Sequence, residues 1–285
     1  REGKKTRVVF IALAGFASQP IKKIKKFAAI RQGKPLDAKK IRAGLAKLNE
    51  LYKENGWLDF TVITTTRAPS DSEMAAFKRR LKPTEVPIAL AYSAQEGRRH
   101  FLLGHNFIGN ETATEAQLRK LANLPTNQVL KESNLQEAQM NILNFYRDRG
   151  HLFAAIEVVK VWQEEPSGVF LNFKIQERQL VYVANIYVEG LLKTKDYVIK
   201  REILLKEGDL FSSKRLYRST DKIYNLGFIE EVKPDYDTTP NPDYVDLIFD
   251  VKEGRPGMLT AGAGYSSVDR VVGTVSLQHL NLLGR

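Results

Sequence analysis

Four histidines, His100, His105, His151 and His279, are the residues best suited to hold a metal or move a proton. No two stand four apart as on a zinc-binding helix, and no cysteine assists them, because the chain has none. The same absence removes disulfides and thiol nucleophiles, and it suits an oxidising compartment. Gly262 and Gly264 make a GxG, but no helix-forming sequence follows that would aim its first amides at a phosphate. The paired carboxylates Glu164–Glu165 and Glu230–Glu231 fall in turn or strand-edge contexts without a partner acid or base. The reading is a protein with no catalytic, cofactor-binding or metal-binding residues, and so not an enzyme.

Lysine is the other side chain that could carry function. The net charge of +11 sits in the first third: residues 1–97 hold 20 basic against 9 acidic side chains, whereas residues 98–254 hold 21 against 23. Lys22, Lys23, Lys25 and Lys26, followed by Arg31, Lys34, Lys39, Lys40 and Arg42, concentrate that excess on predicted helices. No aromatic residues interleave the lysines as a stacking platform, so nucleic acid is not the expected partner. The lysines read as solvated helix faces or as a contact with anionic headgroups or an acidic protein surface.

The elements that must position such residues come in three copies. YKENGW (52–57), YRDRGH (146–151) and YNLGF (224–228) each close a stretch with apolar residues at helical spacing. These are Ile41, Leu45, Leu48, Leu51 and Tyr52, then Leu135, Met140, Ile142, Leu143 and Tyr146, then Leu216, Thr220, Ile223 and Tyr224. The glycine stands where the chain turns left-handed out of a helix. Strand-like runs follow at Leu58–Thr65, Leu152–Val161 and Phe228–Asp235, and alternating second runs at Pro87–Ala94, Gly168–Gln176 and Asp243–Lys252. Ahead of each long helix lies a strand ending in glycine (Val8–Gly15, Phe101–Gly109, Val183–Gly190) and a first helix (Ile21–Ala29, Glu115–Ala122, Asp196–Leu205). The unit is therefore strand-helix-helix-strand-strand, an α+β module with two helices on one face of a three-stranded mixed sheet. The expected domains are 1–97, with a helical insertion near 71–81 (Met74, Phe77 and Leu81 on one face), then 98–177 and 178–254.

Residues 255–285 differ. Val271, Gly273, Val275 and Leu277 alternate with Val272, Thr274, Ser276 and Gln278, an apolar and a polar face on one strand. Transmembrane barrels and ordinary half-buried strand pairs both show this pattern. No run of about 18 apolar residues is present, so no helical span is expected. The chain opens on Arg1, read as a processed or excised piece with any targeting signal outside it.

The repeat order, its G…YxxxG spacing and the acidic exits QEG (95–97) and KEG (252–254) resemble the POTRA (polypeptide-transport-associated) domain. REILLKEGDLFSS (201–213) and LYRSTDKIYNLGFIEEV (216–232) resemble the barrel-proximal POTRA most. GAGYSSVDRVVGTVSLQHLNLLGR (262–285) resembles the opening of the barrel in BamA-type assembly factors, cut short at Gly284–Arg285. The resemblance implies three tandem POTRA domains leading into the first strands of a membrane β-barrel. It also implies a place at the bacterial outer membrane, with this region on the periplasmic side. The implied partners are unfolded outer-membrane proteins, periplasmic chaperones, accessory lipoproteins and the membrane itself through the missing barrel, without a cofactor. TamA-like translocation factors and two-partner-secretion transporters share the domain and remain open alternatives.

A strand edge left unpaired in such a module can accept an extended peptide. Family precedent puts that edge after the second helix, in Leu58–Thr64, Leu152–Val158 and Phe228–Val232. The candidate residues are Leu58, Phe60, Val62, Thr64, Leu152, Ala154, Ile156 and Val158. The third edge is set aside because it sits against the barrel mouth. Glu207, before the glycine of KEG (206–208), matches the family's lipoprotein-docking position, and Lys22, Lys23, Lys25 and Lys26 are candidates for anionic contact.

Overall fold

A computed structural model describes residues 5–28, 31–77, 81–164, 168–254, 257–266, 270–279 and 281. The chain divides into two compact units, one of residues 1–107, 119–139 and 158–173, the other of residues 108–118, 140–157 and 174–285. The elements in order are β1 (Lys5–Ala14), α1 (Ile21–Phe27), α2 (Ala38–Lys53), β2 (Thr61–Arg67), α3 (Asp71–Ala76) and β3 (Glu85–Gln95). Next come β4 (Leu102–Ile108), α4 (Glu115–Ala122), α5 (Glu132–Arg147), β5 (Ala155–Gln163) and β6 (Gly168–Gln176). Then follow β7 (Tyr182–Glu189), α6 (Asp196–Lys200), α7 (Ser213–Tyr224), β8 (Ile229–Thr238) and β9 (Tyr244–Glu253), and lastly β10 (Gly257–Ser266) and β11 (Arg270–His279).

The first three sheets share one order: β1-β3-β2, β4-β6-β5 and β7-β9-β8. In the first and third, the strand that opens the module runs parallel to the central one, and the strand after the second helix runs antiparallel to it. The opening and post-helix strands are thus both edges, and the last strand of each module is central. The expected strand-helix-helix-strand-strand unit is present three times.

In the first module, Asp37 starts α2 by accepting the amides of Lys39 and Lys40, as an N-cap residue does. Leu48 and Tyr52, one helical turn apart, then face inward. They close a core with Val8, Ile24, Phe60, Leu90 and Tyr92, in which the Tyr52 and Phe60 rings stack 3.8 Å apart. α1 lies tight against α2 because Gly44 carries no side chain: a Cβ there would stand 2.8 Å from the Ala28 carbonyl oxygen. In the third module Val183, Ile199, Leu216, Ile223, Leu247 and Phe249 form the equivalent core. Ile223, four residues before Gly227, is fully buried where the earlier copies have Tyr52 and Tyr146, and Tyr224 is exposed. The tyrosine of YNLGF (224–228) is therefore not the counterpart of the other two.

Several expected boundaries move. The strands after the second helices begin at Thr61, Ala155 and Ile229, not at Leu58, Leu152 and Phe228. In the first two modules the intervening residues make a turn, closed by Phe60 N–H to Trp57 O and by Ala154 N–H to His151 O, both 3.1 Å. The insertion helix ends at Ala76, with Phe77 already extended, so Phe77 and Leu81 do not continue it; residues 78–80 lie outside the described part. α1 ends at Phe27 and α6 at Lys200, both shorter than expected, and Ala29 lies outside the described residues.

β10 and β11 pair antiparallel over ten positions. Leu259, Ala261, Ala263 and Tyr265 stand opposite Leu277, Val275, Gly273 and Val271, whereas Thr260 and Gly262 stand opposite Ser276 and Thr274. One face of the hairpin is therefore apolar across both strands, and Leu259, Tyr265, Val271, Val275 and Leu277 are exposed on it. This two-stranded sheet is not closed, as expected for the start of a barrel. The end of the sequence, Gly284–Arg285, lies outside the described residues.

Candidate functional site

Each module has two sheet edges, and one of them is already occupied. The loop between the two helices runs back along the opening strand and bonds to it through the backbone. In the first module Val8 N–H reaches Lys34 O (3.0 Å), Gly33 N–H reaches Val8 O (2.7 Å) and Leu36 N–H reaches Thr6 O (2.9 Å). Leu102 does the same with Gln128 and Asn127, and Val183 with Asp209 and Gly208. In the first module the Arg7 guanidinium adds a bond to the Gly33 carbonyl and an ion pair with Glu85. Phe77, beyond α3, packs its ring 3.8 Å from where a Gly33 Cβ would stand, so the insertion buttresses this loop. The edge that remains for a new strand is the one after the second helix.

Those three open edges differ in chemistry. β2 reads TVITTTR, six β-branched, uncharged residues before Arg67, and Ile63 is 61% exposed. β5 reads AIEVVKVWQ; Val161 and Trp162 are exposed, and Lys160 pairs with Glu132 at 3.5 Å. β8 reads IEEVKPDYDT, with Pro234 lacking an amide and five charged side chains, Glu230, Glu231, Lys233, Asp235 and Asp237. Proline and charge are what blunt an edge against added strands.

Of the eight candidate edge residues, Val62, Thr64, Ile156 and Val158 lie on β2 and β5 and are half-buried. Leu58, Phe60, Leu152 and Ala154 lie in the preceding turns. Phe60, Leu152 and Ala154 are at most 5% exposed, and Leu152 belongs to the core of the third module. These four precede the edge strands, which begin at Thr61 and Ala155.

Glu207 is exposed on the turn that occupies the β7 edge, beside Gly208 at φ +83°. A shallow cleft of about 480 Å³ adjoins it, with Ile186, Ile203 and Leu205 in its floor and Lys200, Arg201 and Lys206 around it. On α1, Lys22, Lys25 and Lys26 border a cleft of about 710 Å³ floored by Phe10, Ile11 and Leu13. Lys23 points elsewhere, to Gln19 Oε1 at 3.3 Å. The four lysines are not one surface.

Three of the histidines are packed among neighbouring side chains. His100 Nε2 is 2.6 Å from Asp59 Oδ2 and its ring packs on Trp162. His105 meets the Phe107 and Phe173 rings, and His151 lies against Thr112 Oγ1 and the Arg178 carbonyl. The side chain of His279 lies outside the described part. Among the described residues no group of three His, Asp or Glu side chains could hold a metal ion.

A set of loop-holding carboxylates escaped the sequence reading. Glu96, Glu177 and Glu253, at the ends of the three central strands, each hold the loop after the opening strand. Glu96 accepts the amides of Ala17 (2.8 Å) and Ser18 and the Tyr52 hydroxyl (2.7 Å). Glu177 accepts the amides of Glu111 and Thr112, and Glu253 those of Leu192, Lys193 and Thr194. Burial pushes each carboxyl up, but the donors outweigh it and hold all three below the usual carboxylate range. The loop reaches its glutamate through Gly15, Gly109 or Gly190, at φ +78° to +84°. A Cβ there would collide with the carbonyl oxygen of Ala94, Ile175 or Val251. The acidic exits QEG and KEG were the signal for it.

Comparison with known proteins fits this architecture. The family model POTRA, described as surface antigen variable number repeat, matches residues 105–178 and 181–254. The outer membrane protein assembly factor BamA of Nitratidesulfovibrio vulgaris is 29% identical over 205 residues, 70% of this chain and 26% of that protein. A putative outer membrane protein assembly factor of Treponema pallidum is 25% identical over 275 residues, 94% of this chain and 32% of that protein. The chain thus spans about a third or less of these relatives. POTRA3-5 of Haemophilus influenzae BamA superposes with a TM-score of 0.70 at 18% identity, covering 87% of this chain and 96% of that one. Haemophilus ducreyi BamA lacking POTRA domains 1-3 gives 0.58 at 26% identity, covering 65% and 35%. With two of its repeats matched by the family model and all three sheets in one strand order, the chain belongs to the POTRA family.

Proposed function

We propose that this chain is the periplasmic arm of an outer-membrane β-barrel assembly factor and that it binds unfolded barrel proteins by strand addition. Its modules are residues 1–97, 98–177 and 178–254, and residues 255–285 begin the barrel. The observation that carries the reading is the asymmetry of the edges: the inter-helix loop occupies one, and the other is open. Main-chain pairing along an open edge is nearly blind to side-chain identity, which suits a factor with many clients. β2 is the preferred acceptor, around Val62 and Thr64, because nothing in it blocks pairing. β5, around Ile156 and Val158, is second. β8 is excluded by Pro234 and its charges.

Two further contacts complete the proposal. Glu207 and its adjoining cleft receive an accessory lipoprotein, and Lys22, Lys25 and Lys26 meet anionic headgroups or an acidic partner. Periplasmic chaperones deliver the clients.

The test is a titration of isotope-labelled protein with a peptide matching the terminal strand of an outer-membrane barrel protein. Amide shifts confined to 61–67, with weaker ones at 155–163, are expected. No shift at millimolar peptide rejects strand addition and leaves a spacer and docking scaffold.

A further inference from the structure

The residue directly after the second helix has a partner in the next module. Glu54, following α2, accepts the backbone amide of Ser133 at 2.8 Å and the Ser133 hydroxyl. Asp148, following α5, accepts the backbone amide of Lys214 and the hydroxyls of Ser212 and Ser213, each at 3.2 Å. Ser133 is the second residue of α5 and Lys214 the second of α7. Each carboxylate therefore meets the first turn of the following module's second helix, where amides lack intrahelical partners and a negative charge is favoured.

The rest of each joint repeats as well. Gly56, two residues after Glu54, accepts the His100 amide at 2.9 Å, and Gly150, two after Asp148, accepts the Val181 amide at 2.9 Å. A Cβ on Gly56 would strike Val129, and one on Gly150 would strike Leu210. Val129 and Leu210 are the residues through which the inter-helix loop bridges the opening strand in the second and third modules. Each joint lies inside one of the two compact units.

We infer that Glu54 and Asp148 are positioning residues that fix each module to the next by capping its second helix in trans. The sequence is arranged accordingly. At the start of α5, Lys131 precedes the helix and has no acceptor side chain, so Glu54 supplies the cap; α7 is capped by Ser212, whose hydroxyl accepts the Arg215 amide, and Asp148 adds to that cap at Lys214. The third module, followed by β10 and β11, carries Asn225 at the matching position. Elsewhere in that module, Asn281 Nδ2 donates to Thr194 Oγ1 at 2.7 Å, in the loop held by Glu253.

The test is amide exchange and residual dipolar couplings on the full chain, with Glu54→Ala and Asp148→Ala. Loss of a charged acceptor is expected to speed exchange about tenfold at Ser133 in the first variant and at Lys214 in the second. Each effect should leave the other joint unchanged. Couplings from the two modules flanking the altered joint should cease to fit one alignment tensor. Asp148→Glu, which keeps the charge, should restore part of the protection. Unchanged exchange and couplings would overturn the inference. So would equal acceleration at the core amides of Leu48 and Ile142, since the carboxylate would then serve module folding and not the joint.

Discussion

Replacing Glu96 by glutamine should destabilise the first module in a pH-dependent way. The carboxylate is half-buried and takes two amides and the Tyr52 hydroxyl. Glutamine keeps one acceptor oxygen but turns an amino group toward these donors. Bonds to a charged group contribute roughly 1.5–3 kcal/mol, and solvent screening at a half-exposed site favours the lower part of that range. The expected loss is about 2 kcal/mol at pH 7. Because the folded carboxyl lies below its ordinary value, its contribution is complete above the unfolded value near 4.5 and fades as pH falls through the folded one. Wild type and Glu96→Gln should therefore converge in acid. Urea unfolding followed by Trp57 fluorescence, in a Trp162→Phe background, measures the gap at pH 7, 5 and 3. A gap that stays constant down to pH 3, or one below about 0.5 kcal/mol at pH 7, would refute the latch.

Leu152→Ala should cost about 2–4 kcal/mol in the third module, whose core it enters, and leave peptide binding unchanged; chemical denaturation and titration of the same sample check both. Ile63→Lys should weaken a barrel-strand peptide about fivefold, roughly 1 kcal/mol of cross-strand contact, without shifting the urea midpoint. Gly44→Ala should destabilise the first module by about 1–3 kcal/mol, because the added methyl meets the Ala28 carbonyl; its urea midpoint decides.

The repeat was legible because helix periodicity and the glycines that end helices are local signals, and they recur. The strand starts were not. Apolar residues follow Gly56 and Gly150 within two positions, but Phe60 and Leu152 among them fill cores from within a turn. Hydrophobicity alone cannot separate a residue buried by a turn from one buried by a strand. Ile223 was misaligned for a related reason: the aromatic Tyr224 carried the pattern, while burial selects the position four before the glycine, whatever its chemistry. The carboxylate bonds of Glu96, Glu177, Glu253, Glu54 and Asp148 join residues 44–79 positions apart, so a local pattern such as the QEG and KEG exits marks the acid but not its partners.

The three open edges have the same position in the fold, so their different sequences point to different tasks. An edge meant only to stay soluble is expected to carry charge or proline, and β8 carries both. β2 carries neither over its first six residues, although a run of β-branched, uncharged residues at an exposed edge is an aggregation hazard. The fold does not need this: β8 packs against its module through Ile229 and Val232, and apart from Pro234 and Tyr236 its remaining residues are charged or polar. Retaining Thr61–Thr66 on an open edge, in the module whose opposite edge is occupied by a loop and braced by the insertion, therefore makes sense if that edge receives strands. Threonine suits the task, being β-branched enough to hold an extended backbone and polar enough to stay hydrated between clients. If clients add as strands, the first module is therefore the chief acceptor, β5 a weaker one and β8 the least suited.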